Sequence, residues 1–209
     1  MTKETSAPDN LEATRLDWVR QLIDQLDWHW QGHLRPRLEG LTDAEYRWEP
    51  VPGMWSIRPR AEAVSSHPGG GGDLVADFAF PEPEAPPLTT IAWRLAHISV
   101  GIFGIRAAAH FRGESMTYQD TVWPETADAA LAFLDEQYAA WMNGVRGLDA
   151  EDLAKPCGPA EGPWAQSPFA ALVLHINREA LHHGAEVLLL RDLYRTSDGG
   201  RNWVPMVDQ

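Results

Sequence analysis

The stretch HINREALHHGAE, residues 175–186, holds three histidines, two glutamates and an arginine within twelve positions. Imidazole and carboxylate groups are the side chains that bind divalent metals and transfer protons. At about 100° per residue, five of these groups share one face of a helix: His175, Glu179, His182, His183 and Glu186. Apolar residues share that face as well. The polar groups therefore need partners in the folded chain, because an unpaired buried carboxylate costs several kcal/mol.

Two interpretations of this helix face remain open on spacing alone. In the first, the groups form a polar network in which Glu179 pairs with a nearby arginine or histidine and His182 pairs with Glu186 one turn later. In the second, they bind a divalent metal, since residues at i and i+4 can present two donors to one ion, as HExxH helices do. That pair would be Glu179 and His183.

A third donor is available in WRLAHISVGIFG, where His97 lies beside small residues that would let a neighbouring helix approach closely. A histidine on an apolar helix is either a hydrogen-bonded core residue or, opposite a Glu-x-x-x-His face, a metal ligand. His175 and His182 are candidates for orienting Glu179 or a bound water, because metal ligands need outer hydrogen-bond partners.

Hydrophobic spacing predicts four long helices that would position these groups. They cover about residues 11–34, 90–113, 125–148 and 167–194, with Thr89 or Thr90 capping the second helix, and with Ser167 as N-cap and Pro168 as first residue of the fourth. The Pro- and Gly-rich segment at about 50–88 predicts an irregular insert without a sheet. We therefore expect an all-α, antiparallel four-helix bundle with this loop insert and long crossover connections, in a single domain spanning residues 1–209.

Composition argues against several classes of partner. The formal charge is -13 and the 17 basic residues form no block, so we expect no nucleic-acid binding. No apolar run approaches the roughly eighteen residues of a membrane span, so we expect no membrane partner. The single cysteine, Cys157, has no motif that marks a nucleophile. With no apolar segment near the N-terminus, these features predict a cytoplasmic protein.

Four segments, in order, carry a resemblance to a known family: LRPRLEGLTDAEYRWEP, the WSI of residues 55–57, TTIAWRLAHI and HINREALHHGAEVLLLRD. They resemble the DinB/YfiT-like superfamily of metal-dependent four-helix bundles, and in particular its mycothiol-dependent maleylpyruvate isomerase and thiol S-transferase branch. The resemblance implies one ligand from the second helix, His97, and two from one turn of the last, Glu179 and His183. The insert is longer than the resemblance implies, and Glu186 stands where it assigns no role.

Two imidazoles and one carboxylate leave coordination positions open, as in catalytic zinc or non-haem iron sites. We expect a divalent metal, zinc first, with nickel and iron as alternatives. The resemblance implies that a low-molecular-weight thiol of the mycothiol type is held as thiolate and transferred to, or used to isomerise, a small electrophilic substrate. The alternative is a non-catalytic bundle protein that binds a metal or small ligand. A homodimer is compatible with both.

Overall fold

The computed structural model describes residues 16–81, 83–112 and 115–202. Four long helices dominate these residues, so the fold is mostly helical, as predicted. The first helix is α-helical over Trp18–His29 and continues in a π-helical turn over Trp30–Leu34; the second covers residues 91–112, the third Ala127–Arg146 and the fourth Phe169–Thr196. The predicted start of the first helix at residue 11 and the predicted end of the second at Gly113 lie outside the described residues.

The second helix alternates between two hydrogen-bonding patterns. It is α-helical over Ile91–Ala96 and Ile105–Ala107, and π-helical over His97–Gly104 and Ala108–Arg112. The Thr90 side chain accepts from the Trp93 N–H, which confirms Thr90 as N-cap. Wide π turns are rare and concentrate at functional sites. The widened stretch begins at His97, the candidate metal ligand on this helix.

Each of the four long helices packs against two of the others. The first and second helices each pack against both the third and the fourth. Trp30 of the first stacks on Tyr138 of the third with ring centroids 3.9 Å apart, and Trp141 is fully buried. A Cβ atom at Gly184 would lie 2.9 Å from a Leu34 methyl carbon, so this glycine lets the fourth helix approach the first closely.

The starts of the third and fourth helices differ slightly from the prediction. The third begins at Ala127, where the Thr126 side chain caps it, rather than at 125. Ser167 is not the N-cap of the fourth helix: Pro168 is, and the helix begins at Phe169. The reason is tertiary, because the backbone here bonds to the preceding loop. The Ser167 carbonyl accepts from the Cys157 N–H at 2.9 Å and the Phe169 N–H donates to the Lys155 carbonyl at 2.8 Å.

Short elements connect the long helices. They are two short α-helices at Asp43–Tyr46 and Ala150–Ala154, and 3₁₀ turns at Pro36–Leu38, Arg60–Glu62 and Pro159–Trp164. Among the described residues, no helix combines the length and apolar character needed to cross a bilayer.

The prediction that the insert holds no sheet is wrong. Strand β1, Ile57–Pro59, pairs antiparallel with β2, Leu74–Ala76, with Ile57 opposite Ala76. Each strand has three residues, too few for an alternating pattern to stand out in the sequence. The insert is closed at its ends, where the Trp55 N–H donates to the Leu88 carbonyl and the Thr90 N–H donates to the Trp55 carbonyl, both at 2.9 Å.

A buried carboxylate organises the insert. Asp77, directly after β2, is completely buried. Its Oδ1 accepts from the N–H groups of Val64 and Ser65 and from the Ser65 hydroxyl, and its Oδ2 accepts from the Ser56 N–H and from Arg58 Nε at 2.7 Å. Charge-assisted bonds of this kind offset the cost of burying the carboxylate. One side chain therefore joins three parts of the insert.

The insert is bound to the second helix through the same residue. The indole N–H of Trp93 donates to the Asp77 carbonyl oxygen at 2.7 Å. Trp55 also packs on Trp93, with ring centroids 5.9 Å apart. These two contacts of Trp93 fix the insert against the second helix, one turn before His97.

Replacing Asp77 by asparagine should destabilise the protein by about 2–4 kcal/mol, because an amide NH₂ would face donors and Arg58 would lose one of the two carboxylates that contact it. Urea unfolding followed by circular dichroism measures this. Asp73→Asn, at an exposed position of the same insert, is the matched control and should change stability little. Equal stability of the two variants would show that Asp77 does not hold the insert.

Candidate metal centre

The polar face of the fourth helix lies at the border of the core rather than within it. Buried residues of this helix include Ile176, Ala180 and Val187, whereas the Glu179 side chain is 27% exposed and that of His183 is 12% exposed. The expectation that these groups share the core-facing side is therefore only partly met. Contact with water lowers the cost of keeping a carboxylate ionised beside the bundle interior.

His97 is held by three rings. It stacks on Trp93 with centroids 5.2 Å apart and meets His183 edge-on with centroids 4.8 Å apart. Its Nδ1 lies 2.8 Å from the Tyr118 hydroxyl oxygen. A Cβ atom at Gly101 would lie 2.9 Å from His97 Nδ1 and even closer to the Tyr118 hydroxyl, so a glycine is required beside this hydrogen bond.

Burial keeps both imidazoles neutral. Desolvation, assisted by His183, Arg94 and Arg106, lowers the pKa of His97 to about 3. Desolvation also lowers the pKa of His183, against the opposing influence of Glu186. A neutral imidazole keeps a lone pair on one nitrogen, which is the form that binds a metal.

His183 connects the two helices through its two nitrogens. Its Nε2 lies 3.6 Å from Glu179 Oε2, while its Nδ1 lies 2.7 Å from Glu186 Oε2 and 3.1 Å from Arg94 Nη1. Arginine can only donate, and the carboxylate can only accept, so the two Nδ1 contacts suit different tautomers. The tautomer that donates from Nδ1 to Glu186 leaves the Nε2 lone pair on the side of Glu179.

His183 contacts each of the other two predicted donors, but His97, Glu179 and His183 do not come together as one compact donor group among the described residues. Within the described ranges, the group of three whose candidate ligand atoms all lie within 4.8 Å is His182, His183 and Glu186. In that group Arg94 Nε lies 2.9 Å from Glu186 Oε2, so a guanidinium already neutralises the carboxylate, and the His182 side chain is 63% exposed. Two overlapping candidate sites therefore share His183.

The residues predicted to orient Glu179 lie in different surroundings. His175 Nδ1 lies 3.4 Å from Glu179 Oε1, and Arg178 contacts both of these side chains. His182 instead faces Glu186, with Nε2 to Oε1 at 3.6 Å. These contacts match the polar network of the first interpretation. They also supply the outer partners that a metal ligand requires.

A cavity of about 570 Å³ opens beside His97 and Glu179. Its aromatic wall comes largely from the insert, through Trp55, Phe78 and Phe80. The segment predicted only as an irregular insert thus forms part of the site. Neither composition nor periodicity assigns these aromatic residues to the cavity, because the contact depends on how the insert folds back over the second helix.

Two further residues of the site were not singled out from the sequence. Arg94 lies three positions before His97, one helical turn away, and this spacing is a signal that could have identified it. Tyr118 lies in the connection after the second helix, where no periodicity applies. Its approach to His97 is a product of the tertiary fold.

Two other candidate reactive groups lie apart from these donors. His110 Nε2 is 2.9 Å from Glu161 Oε1, so it belongs to a separate buried pair. Burial raises the pKa of the Cys157 thiol, with a smaller contribution from Glu161 in the same direction. The thiolate is therefore disfavoured, which agrees with the expectation that Cys157 is not a nucleophile.

The DinB superfamily profile matches residues 73–187, more than half of the 209-residue chain. The chain therefore belongs to the DinB superfamily, whose members commonly bind metals. The matched region runs from strand β2 of the insert into the fourth helix and contains His97, Glu179 and His183. Neither a curated protein nor a solved structure matches the chain significantly.

Acid should destabilise the folded protein through His97. An unfolded histidine takes up a proton near pH 6.5, whereas folded His97 does so only near pH 3. Its contribution to stability is thus complete above pH 6.5 and is lost as the pH falls through this window, by up to about 1.4 kcal/mol per pH unit. Urea unfolding with a chelator at pH 7, 6, 5 and 4.5 should give a shallower pH dependence for His97→Gln than for the wild type. Parallel curves would contradict the buried neutral imidazole.

Proposed function

We propose that His97, Glu179 and His183 bind one divalent metal ion, zinc by expectation, and that the protein is a metal-dependent enzyme acting on a small molecule in the adjoining cavity. The observation that carries this proposal is the edge-on contact of two neutral imidazoles from different helices, His97 and His183. Glu179 lies next to His183, and a cavity opens beside His97 and Glu179. Membership of the DinB superfamily supports it.

The residues present fit such an ion. The Tyr118 hydroxyl and Glu186 lie within hydrogen-bond distance of the Nδ1 atoms of His97 and His183. In the tautomers that donate from Nδ1 to these oxygens, the Nε2 lone pair of each ring is free for coordination. Arg94 holds Glu186 in place at 2.9 Å. Outer partners of this kind fix the ring orientation and tautomer of metal-binding histidines. Glu179 Oε2 lies 3.6 Å from His183 Nε2, the nitrogen that the contact of Nδ1 with Glu186 leaves for a metal.

The reaction that we propose is transfer of a low-molecular-weight thiol of the mycothiol type to a small electrophilic carbon, or thiol-assisted isomerisation of a small substrate. An ion with open coordination positions holds a thiol as thiolate at neutral pH. The chain's own residues bind and shield the substrate. Trp55 and Phe78 from the insert and Trp93 from the second helix line the cavity and provide an apolar wall that excludes water from one side.

Metal content should separate the two overlapping candidate sites. The wild type, loaded with zinc and dialysed, should retain about one zinc per chain by elemental analysis. His97→Ala and Glu179→Gln should lose it, since each removes one of three ligands. His182→Ala, which removes a ligand of the alternative cluster alone, should retain it.

The opposite pattern, with zinc lost in His182→Ala and kept in His97→Ala, would move the site to the exposed end of the polar face. Equal zinc in all four proteins would remove the proposed metal centre altogether. Circular dichroism spectra and thermal midpoints of each variant show that a loss of metal does not reflect unfolding.

Thiol transfer is tested with zinc-loaded protein, mycothiol and 1-chloro-2,4-dinitrobenzene, by following the absorbance of the thioether as chloride leaves. The wild type should accelerate C–S bond formation over buffer, and the chelated protein and His97→Ala should not, because both lack the ion that lowers the thiol pKa. A rate equal to that of His97→Ala, in protein shown to contain zinc, would favour the alternative of a bundle that binds a metal without turnover.

A further inference from the structure

Arg106 stands where two cavities meet. It lies on the second helix nine positions after His97 and lines the cavity beside the metal donors. It also lines a second cavity of about 350 Å³, between the second helix and the segment that leads into the fourth. His175 is shared between the two cavities in the same way. A ligand in either cavity can therefore approach the Arg106 guanidinium.

The guanidinium has few acceptors within the described part of the chain. Its Nη1 donates to the Gly101 carbonyl at 3.0 Å, and its Nη2 lies 3.5 Å from Glu161 Oε2. Its Nε is buried without an acceptor among the described residues. Arginine carries five N–H donors, and a buried donor without an acceptor costs about 1–3 kcal/mol. The head group is held in position by one good hydrogen bond, and the donors that remain for a ligand are unused N–H groups of Nη1 and Nη2 rather than the buried Nε.

The carboxylate near Arg106 is committed elsewhere. Glu161 makes its short contact with His110, at 2.9 Å, and both side chains are buried. The other arginine of the second cavity, Arg178, is engaged by Glu179 and His175. Among the arginines lining these two cavities, Arg106 is therefore the one with the least local neutralisation.

The surroundings of the free donors define the ligand that fits. Trp55, Phe78, Ile102 and Ile105 line the cavity and suit an apolar or planar body. A guanidinium with unused N–H groups suits a planar, singly charged acid, which it can bind through two parallel hydrogen bonds. We propose that Arg106 binds the carboxylate of a small carboxylic acid whose apolar part lies against Trp55 and Phe78.

The role of this acid in a reaction rests on the proposed function, but its binding does not. The carboxylate belongs either to the electrophilic substrate or to a thiol that itself carries a carboxylate, which mycothiol does not. Two pairs of probes distinguish these sources. The first pair is 3-phenylpropionate and its amide, and the second is N-acetylcysteine and its amide. Each pair differs only by the carboxylate charge, so the ratio of the two dissociation constants isolates what Arg106 recognises.

The test is calorimetric titration of each probe into the full-length protein, in zinc-loaded and chelated forms. Arg106→Gln should weaken acid binding by at least about tenfold and leave amide binding unchanged. Arg20→Gln removes the same charge at an exposed position of the first helix and should leave both unchanged. Glu161→Gln should tighten acid binding, because it removes the carboxylate that forms the Arg106 ion pair among the described residues.

The pattern across probe pairs assigns the source of the carboxylate. The proposal is supported if the wild type binds the acid of one pair more tightly than its amide and Arg106→Gln abolishes this difference. That pair then identifies the class of the ligand. The proposal is overturned if acid and amide bind equally in both pairs, or if Arg20→Gln weakens acid binding as much as Arg106→Gln does. If Arg106→Gln fails to fold by circular dichroism, Arg106→Lys and Glu161→Gln decide, with weakened and tightened acid binding expected.

The chelated arm keeps this test separate from the metal proposal. If the chelated protein binds the acid more tightly than the amide and Arg106→Gln removes this difference, the role of Arg106 is supported whether or not the protein binds zinc. Zinc retained without any preference for the acid leaves the metal centre intact and overturns the role of Arg106.

Discussion

Trp93 forms the contact on which the arrangement of the site depends. Its indole N–H needs an acceptor once buried, and the Asp77 carbonyl supplies one. Its ring face then stacks on His97, four residues and one helical turn later. The insert, the second helix and the candidate ligand are therefore joined through one side chain. A shift of the insert would move the wall of the cavity and the ring that supports His97 together.

The second constraint is that the buried imidazoles of His97 and His183 stay neutral. The positive charge near them is carried by arginine side chains. Desolvation makes a protonated His97 costly, so positive charge is carried instead by Arg94 and Arg106. Arg94 is neutralised by Glu186, which also contacts His183. Arg106 has weaker neutralisation and faces the cavity. The site thus separates groups suited to a metal, which are neutral or acidic, from one guanidinium suited to an anion.

The polar network and the metal site are compatible interpretations of the same residues. The contacts of Arg94, Glu186 and His183 satisfy the buried polar groups of the fourth helix. When His183 Nδ1 donates to Glu186, which Arg94 holds in place, the Nε2 lone pair of His183 is free. A network that holds ring orientation and tautomer in this way is what metal coordination requires of its outer partners. The packing of the bundle and the chemistry of the site are therefore served by one set of hydrogen bonds.

The sequence by itself determined the helical class, narrowed the cap of the second helix to Thr89 or Thr90, and identified candidate metal donors, because each depends on spacing within one segment. It also determined that Glu179 and His183 share a helix face. Only the tertiary structure decided that the polar face borders the core, that Tyr118 contacts His97, and that the insert's aromatic residues wall the cavity. Those contacts join residues far apart in the chain, and their geometry follows from packing among helices and loops rather than from local periodicity.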